Sequence, residues 1–158
     1  MAKTYEIGLE IPANKAWSAI SQKFGAAGQW TSLLKGSWME GDVAVGGRRV
    51  CEQLNGNRAE ERIVRLDQAA MILEYELTEG GPPILKSASN TWAVIALGPN
   101  RSKVVMRPSL RLKWWATPLQ PLLWFGLNRD LPKVLEEFRY WAEKGEAHPR
   151  KQALAARN

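Results

Sequence analysis

The chain has 158 residues, 45 % of them apolar, which suits one domain with one buried core and excludes a disordered polymer. It carries no apolar run of the ~18–20 residues that a membrane span needs, and nothing in Met1–Glu10 resembles a signal peptide. The single cysteine, Cys51, excludes an intrachain disulfide and a cysteine-rich metal site, so a reducing cytoplasm is the expected compartment. Net charge is +6, which permits attraction to anionic lipid, nucleic acid or acidic partners. The charge is dispersed, and no helix-turn-helix, zinc or RNA-sheet signature is present, so no nucleic-acid partner is expected.

In chain order, Lys3–Glu10 alternates as an outer strand that Pro12 ends. Asn14 is placed to cap a helix running through Ser21, with Trp17, Ile20 and Phe24 at helical spacing. Gly25 and Gly28 break it, and Gln29–Leu34 reads as a second short helix. A meander follows: Lys35–Glu40, Gly46–Leu54 ended by the hairpin dipeptide Asn55-Gly56, Ala59–Leu66, Met71–Thr78, Ser87–Leu97 and Ser102–Lys113. Pro108 in the last strand predicts an edge or a bulge. Leu127, Leu131, Val134, Leu135, Phe138 and Trp141 form the apolar stripe of a terminal helix from about Asp130 to Lys144, with Gly145 as its stop. The expected domain is residues 1–145, followed by a basic, flexible tail over 146–158.

One strand, two short helices, six more strands and a long helix make an α+β chain in which a seven-stranded antiparallel sheet wraps a C-terminal helix. Such a sheet leaves a hollow beneath the helix. Four pieces also carry a resemblance: Ile11-Pro12-Ala13 with Ala16-Trp17; Gly41, Gly46-Gly47, Arg49 and Asn55-Gly56; Glu61-Arg62-Ile63 with Leu66-Asp67; and Leu73–Gly81 with Pro82-Pro83. Over residues 4–142 the chain resembles the polyketide cyclase/dehydrase group of the START/Bet v 1-like superfamily, the helix-grip fold. The resemblance implies a long pocket between sheet and helix for a lipid, polyketide, steroid, quinone or hormone-like molecule.

Strand parity, carried through that resemblance, turns Arg49, Cys51, Gln53, Glu61, Ile63, Tyr75, Leu77, Met106, Pro108 and Leu110 inward. On the sixth strand Asn90 and Trp92 are taken as inward, although a one-residue slip would turn Thr91, Ala93 and Ile95 inward instead. Leu131 and Leu135 supply the helix wall. Arg49 and Glu61 then stand as opposite charges on neighbouring strands. They either orient a polar ligand head or form a structural ion pair closing one end of the sheet. Tyr75 is either a donor to a ligand carbonyl or a wall residue. Trp17, Trp30, Trp92, Trp124 and Trp141 are further candidates for the cavity or its mouth.

The only histidine, His148, lies in the tail, and no phosphate loop opens a helix, so no metal, nucleotide or other cofactor is expected. No catalytic residue is assigned; Glu61 and Tyr75 are the candidates if the chain is an enzyme, which would then be a cofactor-free cyclase or dehydratase. The leading expectation is a binder or carrier of a hydrophobic small molecule. A third reading has a peripheral membrane protein delivering lipid or quinone. The apolar segment containing Trp114, Trp115, Leu122 and Trp124 is either simply buried under the helix, the leading reading, or a lid, a membrane contact or a dimer contact, so monomer and homodimer both stay open.

Overall fold

The computed structural model describes residues 3–157. Seven strands form one antiparallel sheet: β1 (Tyr5–Leu9), β2 (Leu34–Glu40), β3 (Arg48–Gln53), β4 (Arg58–Asp67), β5 (Ile72–Glu79), β6 (Leu85–Gly98) and β7 (Arg101–Leu112). Their order is β1-β7-β6-β5-β4-β3-β2, so β1 and β2 are the two edges. Helices α1 (Ala13–Ser21) and α2 (Ala27–Trp30) join those edges, with a 3-10 turn at Phe24–Ala26 between them. The long helix α3 (Gln120–Lys144) closes the concave side, and α4 (Pro149–Ala155) follows it. This is the expected helix-grip architecture. No helix among the described residues is long and apolar enough to cross a membrane.

The meander follows from its turns and its pleat. Gly56 sits at φ 85, a left-handed conformation that a hairpin after Asn55 requires, and its N–H donates to the Gln53 carbonyl at 2.9 Å. Inner positions pack as a continuous core of Leu9, Ile63, Leu73, Val104, Met106 and Phe138. Pro108 meets its expectation without a bulge. β1 pairs with β7 only from Tyr5 opposite Met106, and Lys3 N–H reaches the Pro108 carbonyl from beyond that pairing. A residue's N and O face the same neighbour, so the missing proline N–H faces the end of β1, where the ladder has already stopped.

Three helices have boundaries that differ from the sequence reading. Asn14 lies inside α1, and the Pro12 carbonyl starts the helix by accepting from Lys15 and Ala16. The second short helix is Ala27–Trp30; Leu34 already belongs to β2. α3 begins at Gln120, ten residues before the expected start, because Pro121 suits a first helical turn and Pro132 is carried inside the helix. Its end is the expected one: Gly145 is left-handed and its N–H caps the Trp141 carbonyl at 2.8 Å.

The expected loose tail is, over Pro149–Ala155, a helix tied back to the domain. Glu137 on α3 is fully buried, and a buried carboxylate needs partners. It accepts from Ser32 N–H at 2.9 Å, Ser32 hydroxyl at 3.0 Å and Arg150 at 3.1 Å. Lys151 donates to the Leu34 carbonyl beside it. Burial lowers the Lys151 pKa, and the Glu137 charge works against that.

The pair of short helices is seated by a close approach. Gly28 N–H donates to Ser37 Oγ at 2.7 Å, and that hydroxyl donates to the Gly25 carbonyl at 2.7 Å. A Cβ on Gly28 would lie 2.3 Å from the Gly36 carbonyl carbon, so only glycine lets α2 rest on β2. Gly28→Ala should lower the unfolding free energy by about 2–3 kcal/mol, as overpacked sites do. Gly126→Ala, in mid-helix with open space around its Cβ, should raise it by about 0.5–1 kcal/mol. Urea unfolding of both variants checks the pair of signs.

Candidate functional site

Between α3, the short helices and the sheet lies a cavity of about 560 Å³, within the ~300–1,000 Å³ of small-molecule sites. Its exposed lining residues are Lys23, Leu33, Leu54 and Asn55, so it opens between the short helices and the β3–β4 hairpin. One side is aromatic. Phe24, Trp30, Trp92 and Phe138 pack edge-on or tilted on one another or on Tyr75, with centroids 5.2–6.4 Å apart. Flat rings at these angles are stable without a ligand and present broad apolar faces to one.

The polar groups of the wall lie against these rings. β3 and β4 pair with Arg49 opposite Glu61, which sets both side chains on the inner face. Arg49 is only 7 % exposed. Its Nε donates to Glu61 Oε2 at 2.7 Å, its Nη2 lies 2.5 Å from the same oxygen, and its Nη1 donates to the Phe24 carbonyl at 3.0 Å. The guanidinium also faces the rings of Phe24 and Tyr75, at 3.9 and 4.9 Å. Burial alone would lower the Arg49 pKa; the Glu61 carboxylate, with Tyr75 and Cys51 adding to it, raises it overall. The pair is therefore an ion pair that fastens the Phe24 turn to the sheet, and the arginine's charge is already matched. Glu61 spends only Oε2 on this contact. Oε1 has no partner among the described residues.

Beside the pair, Asn90 Nδ2 donates to the Tyr75 hydroxyl at 3.0 Å, leaving Asn90 Oδ1 buried with no hydrogen-bond partner. Turning the amide over moves the gap without closing it: the hydroxyl then donates to Oδ1, and Nδ2 is the unpaired atom. An unsatisfied buried amide atom costs about 1–3 kcal/mol, so it persists where something else compensates. The Tyr75 pKa is raised by burial and then by Glu61, against the Arg49 charge and the smaller effect of hydrogen bonding, so the hydroxyl keeps its proton at neutral pH.

Of the expected site residues, the cavity wall holds Arg49, Gln53, Glu61, Tyr75, Asn90, Trp92, Met106 and Leu131. The inward reading of β6 is thus the one the structure has. Ile63, Leu77, Leu110 and Leu135 are not in the wall. Ile63 and Leu135 are sealed in the core. Leu77 lies against Gly81 of the β5–β6 loop, and Leu110 faces a separate shallow hollow under Thr117 and Leu123. Trp17 is spent on α1, its indole donating to Gln68 at 2.7 Å, and Trp124 and Trp141 also lie outside the wall. The sequence reading missed Phe24, Val134 and Phe138. The signal for the last two was the helical spacing from Leu131, whose face positions three, four and seven residues on share; which of these meet the cavity is set by packing, and Leu135 is sealed in the core.

Cys51 lines the cavity next to Glu61 Oε2, at 3.6 Å. Burial first, then the Glu61 charge, pushes its thiol from 9.0 up to about 12. The unfolded thiol ionises near 9 and the native one near 12, so between these values the unfolded state holds fewer protons. Stability should then fall as pH rises through that interval, by up to about 1.4 kcal/mol per pH unit for this group. Cys51→Ala should flatten that slope in urea titrations between pH 9 and 11. A thiol of unshifted reactivity towards iodoacetamide at pH 8 would contradict the assignment.

The sequence profile of the family described as polyketide cyclase/dehydrase and lipid transport matches residues 3–138. No curated protein matches significantly. Among solved structures, the Zhui aromatase/cyclase from Streptomyces sp. R1128 superposes with a TM-score of 0.75 at 16 % identity, over 91 % of this chain and 94 % of that one. The di-domain aromatase/cyclase BexL from the BE-7585A biosynthetic pathway gives 0.72 at 14 % identity, over 89 % of this chain. This chain spans 45 % of that protein. Norcoclaurine synthase from Thalictrum flavum, in complex with a transition-state analogue, gives 0.68 at 15 % identity, over 85 % of this chain and 91 % of that one. At these identities the structures speak for the fold; the profile, matching most of the sequence, establishes that this chain belongs to the polyketide cyclase/dehydrase and lipid transport family.

Proposed function

We propose that the chain binds, and carries, a largely apolar ring-bearing small molecule with hydroxyl or carbonyl groups at one end. The observation that supports this most is a cavity walled by aromatic rings that also carries unpaired hydrogen-bonding atoms, Glu61 Oε1 and one atom of the Asn90 amide. The sequence reading allowed Arg49 and Glu61 to orient a polar ligand head. With the Arg49 charge matched by Glu61, a second carboxylate would meet Glu61 as a like charge, so the favoured polar end is a phenolic or alcoholic hydroxyl donating to Oε1. The protonated Tyr75 hydroxyl and the Asn90 amide suit a carbonyl or a second hydroxyl.

A second reading is a cofactor-free cyclase or dehydratase, as in the family's description. The free Oε1 of Glu61 is the group that would take a proton, and the Tyr75 hydroxyl the one that would hold a carbonyl oxygen. A carrier and such an enzyme share the site and differ in whether the ligand leaves unchanged.

Quenching of cavity tryptophan fluorescence, titrated with polycyclic phenols, steroids, isoprenoids and fatty acids, tests both. Polycyclic phenols should bind saturably, and Tyr75→Phe should weaken them about fivefold, the worth of one ordinary hydrogen bond. Ligand recovered intact supports carriage; steady conversion that Glu61→Gln abolishes supports the enzyme. Fatty acids binding best, with no effect of Tyr75→Phe, would contradict the proposed ligand class.

A further inference from the structure

The segment after β7 leaves large apolar side chains in the open. Trp114 is 86 % exposed, Leu122 69 % and Phe125 68 %, with Trp115 and Leu119 also exposed. Trp124, expected among them, is 4 % exposed and turns inward. These residues lie on a 3-10 turn, Trp114–Leu119, and the first two turns of α3. They do not help to close the cavity, whose wall contains none of them.

Two further observations say what covers this patch. The first is charge. Residues 80–129 contain no Asp or Glu and seven Lys or Arg. Arg101 and Lys103 pair with Glu10 and Glu6 of β1. Lys86, Arg107, Arg111 and Lys113 are exposed and form no ion pair among the described residues. Arg107, Arg111 and Lys113 alternate by two, so they run as one stripe along β7 and end at Trp114.

The second is position. In the register, the start of β2 lies beside the end of β3, and the start of β6 beside the end of β7. Gln53 Nε2 donates to the Gly80 carbonyl, and Lys113 N–H to the Ile84 carbonyl, which ties the hairpin, the β5–β6 loop and the patch to one end of the sheet. Leu33 and Leu54, exposed at the mouth of the cavity, stand at that same end.

We propose that this end of the molecule docks on an anionic lipid surface, with Trp114, Trp115, Leu119, Leu122 and Phe125 entering the headgroup boundary and Arg111, Lys113 and Lys86 meeting the lipid phosphates. Exposed tryptophan beside aliphatic side chains suits the interface between headgroups and chains, and unpaired cations around it suit an anionic leaflet. A protein partner of the same shape would need acidic residues of its own opposite the stripe; a bilayer supplies anionic charge and apolar depth together. Docked this way, the mouth at Leu33 and Leu54 faces the membrane, and an apolar ligand passes between bilayer and cavity with little exposure to water.

Co-sedimentation with vesicles of phosphatidylcholine alone, and with one-third phosphatidylglycerol, tests the proposal. At low salt the wild-type chain should bind the anionic vesicles at least about tenfold tighter than the neutral ones. Leu122→Glu with Phe125→Ser should cost about tenfold or more, and Arg111→Glu with Lys113→Glu a similar factor. Both variants should keep the wild-type circular dichroism spectrum, since all four side chains are exposed. Absence of binding to either vesicle overturns the proposal, as does binding indifferent to both variants. A solution dimer that Leu122→Glu splits, without vesicle binding, would assign the patch to a second copy of the chain and also overturn it.

Discussion

A guanidinium 7 % exposed to solvent is the constraint on which the rest of this molecule turns. An arginine cannot be taken from water without a matched charge and acceptors for its N–H groups. Glu61 supplies the charge because the β3–β4 register sets it directly opposite, and the Phe24 carbonyl supplies an acceptor because α1 and α2 bring that turn over the sheet. The contact thus joins the β3–β4 hairpin to the Phe24 turn, 25 residues before Arg49. It also sets a matched charge pair in the wall of the cavity, against the rings of Phe24 and Tyr75.

The architecture was legible because it is written in local rules. Alternation in Met71–Thr78, the Asn55-Gly56 turn and the Leu131–Trp141 stripe each demand one kind of element, and their order leaves few ways to pack. Arg49, Cys51, Gln53, Glu61, Tyr75 and Met106 of the wall were placed by strand parity carried from strand to strand by the family resemblance, while Asn90 and Trp92 were a choice between two registers of the sixth strand. What failed was depth. Parity places Ile63 and Leu77 on the inner face correctly, and says nothing of whether the helices above leave space over them. The wall at Phe24 and Phe138 depends on how α2 and α3 lean on the sheet, and the Gly28 contact that sets that lean is visible only in three dimensions.

The helical boundaries carry a similar lesson. Pro132 fits either the first turn of a helix starting near Asp130 or the interior of a longer one, and α3, starting at Gln120 with Pro121 in its first turn, is the longer one. The residues after Gly145 read as a loose tail because their charges stand unpaired in sequence; in space Glu137 requires one of them, Arg150. There a long-range partner overrides a local signal. Trp114, Trp115, Leu119, Leu122 and Phe125 present the converse case, large apolar side chains left exposed beside a stripe of unpaired cations.

The central claim is that Arg49 and Glu61 are one coupled unit holding the site. A double-mutant cycle in urea with Arg49→Met, Glu61→Leu and the two together measures that coupling most directly. Each single change should lower stability by about 3–5 kcal/mol, because it leaves the other partner unmatched in the interior. The double variant should return to within about 1–2 kcal/mol of wild type, since two apolar side chains replace a matched pair. A double variant destabilised by the sum of the two singles would contradict the account.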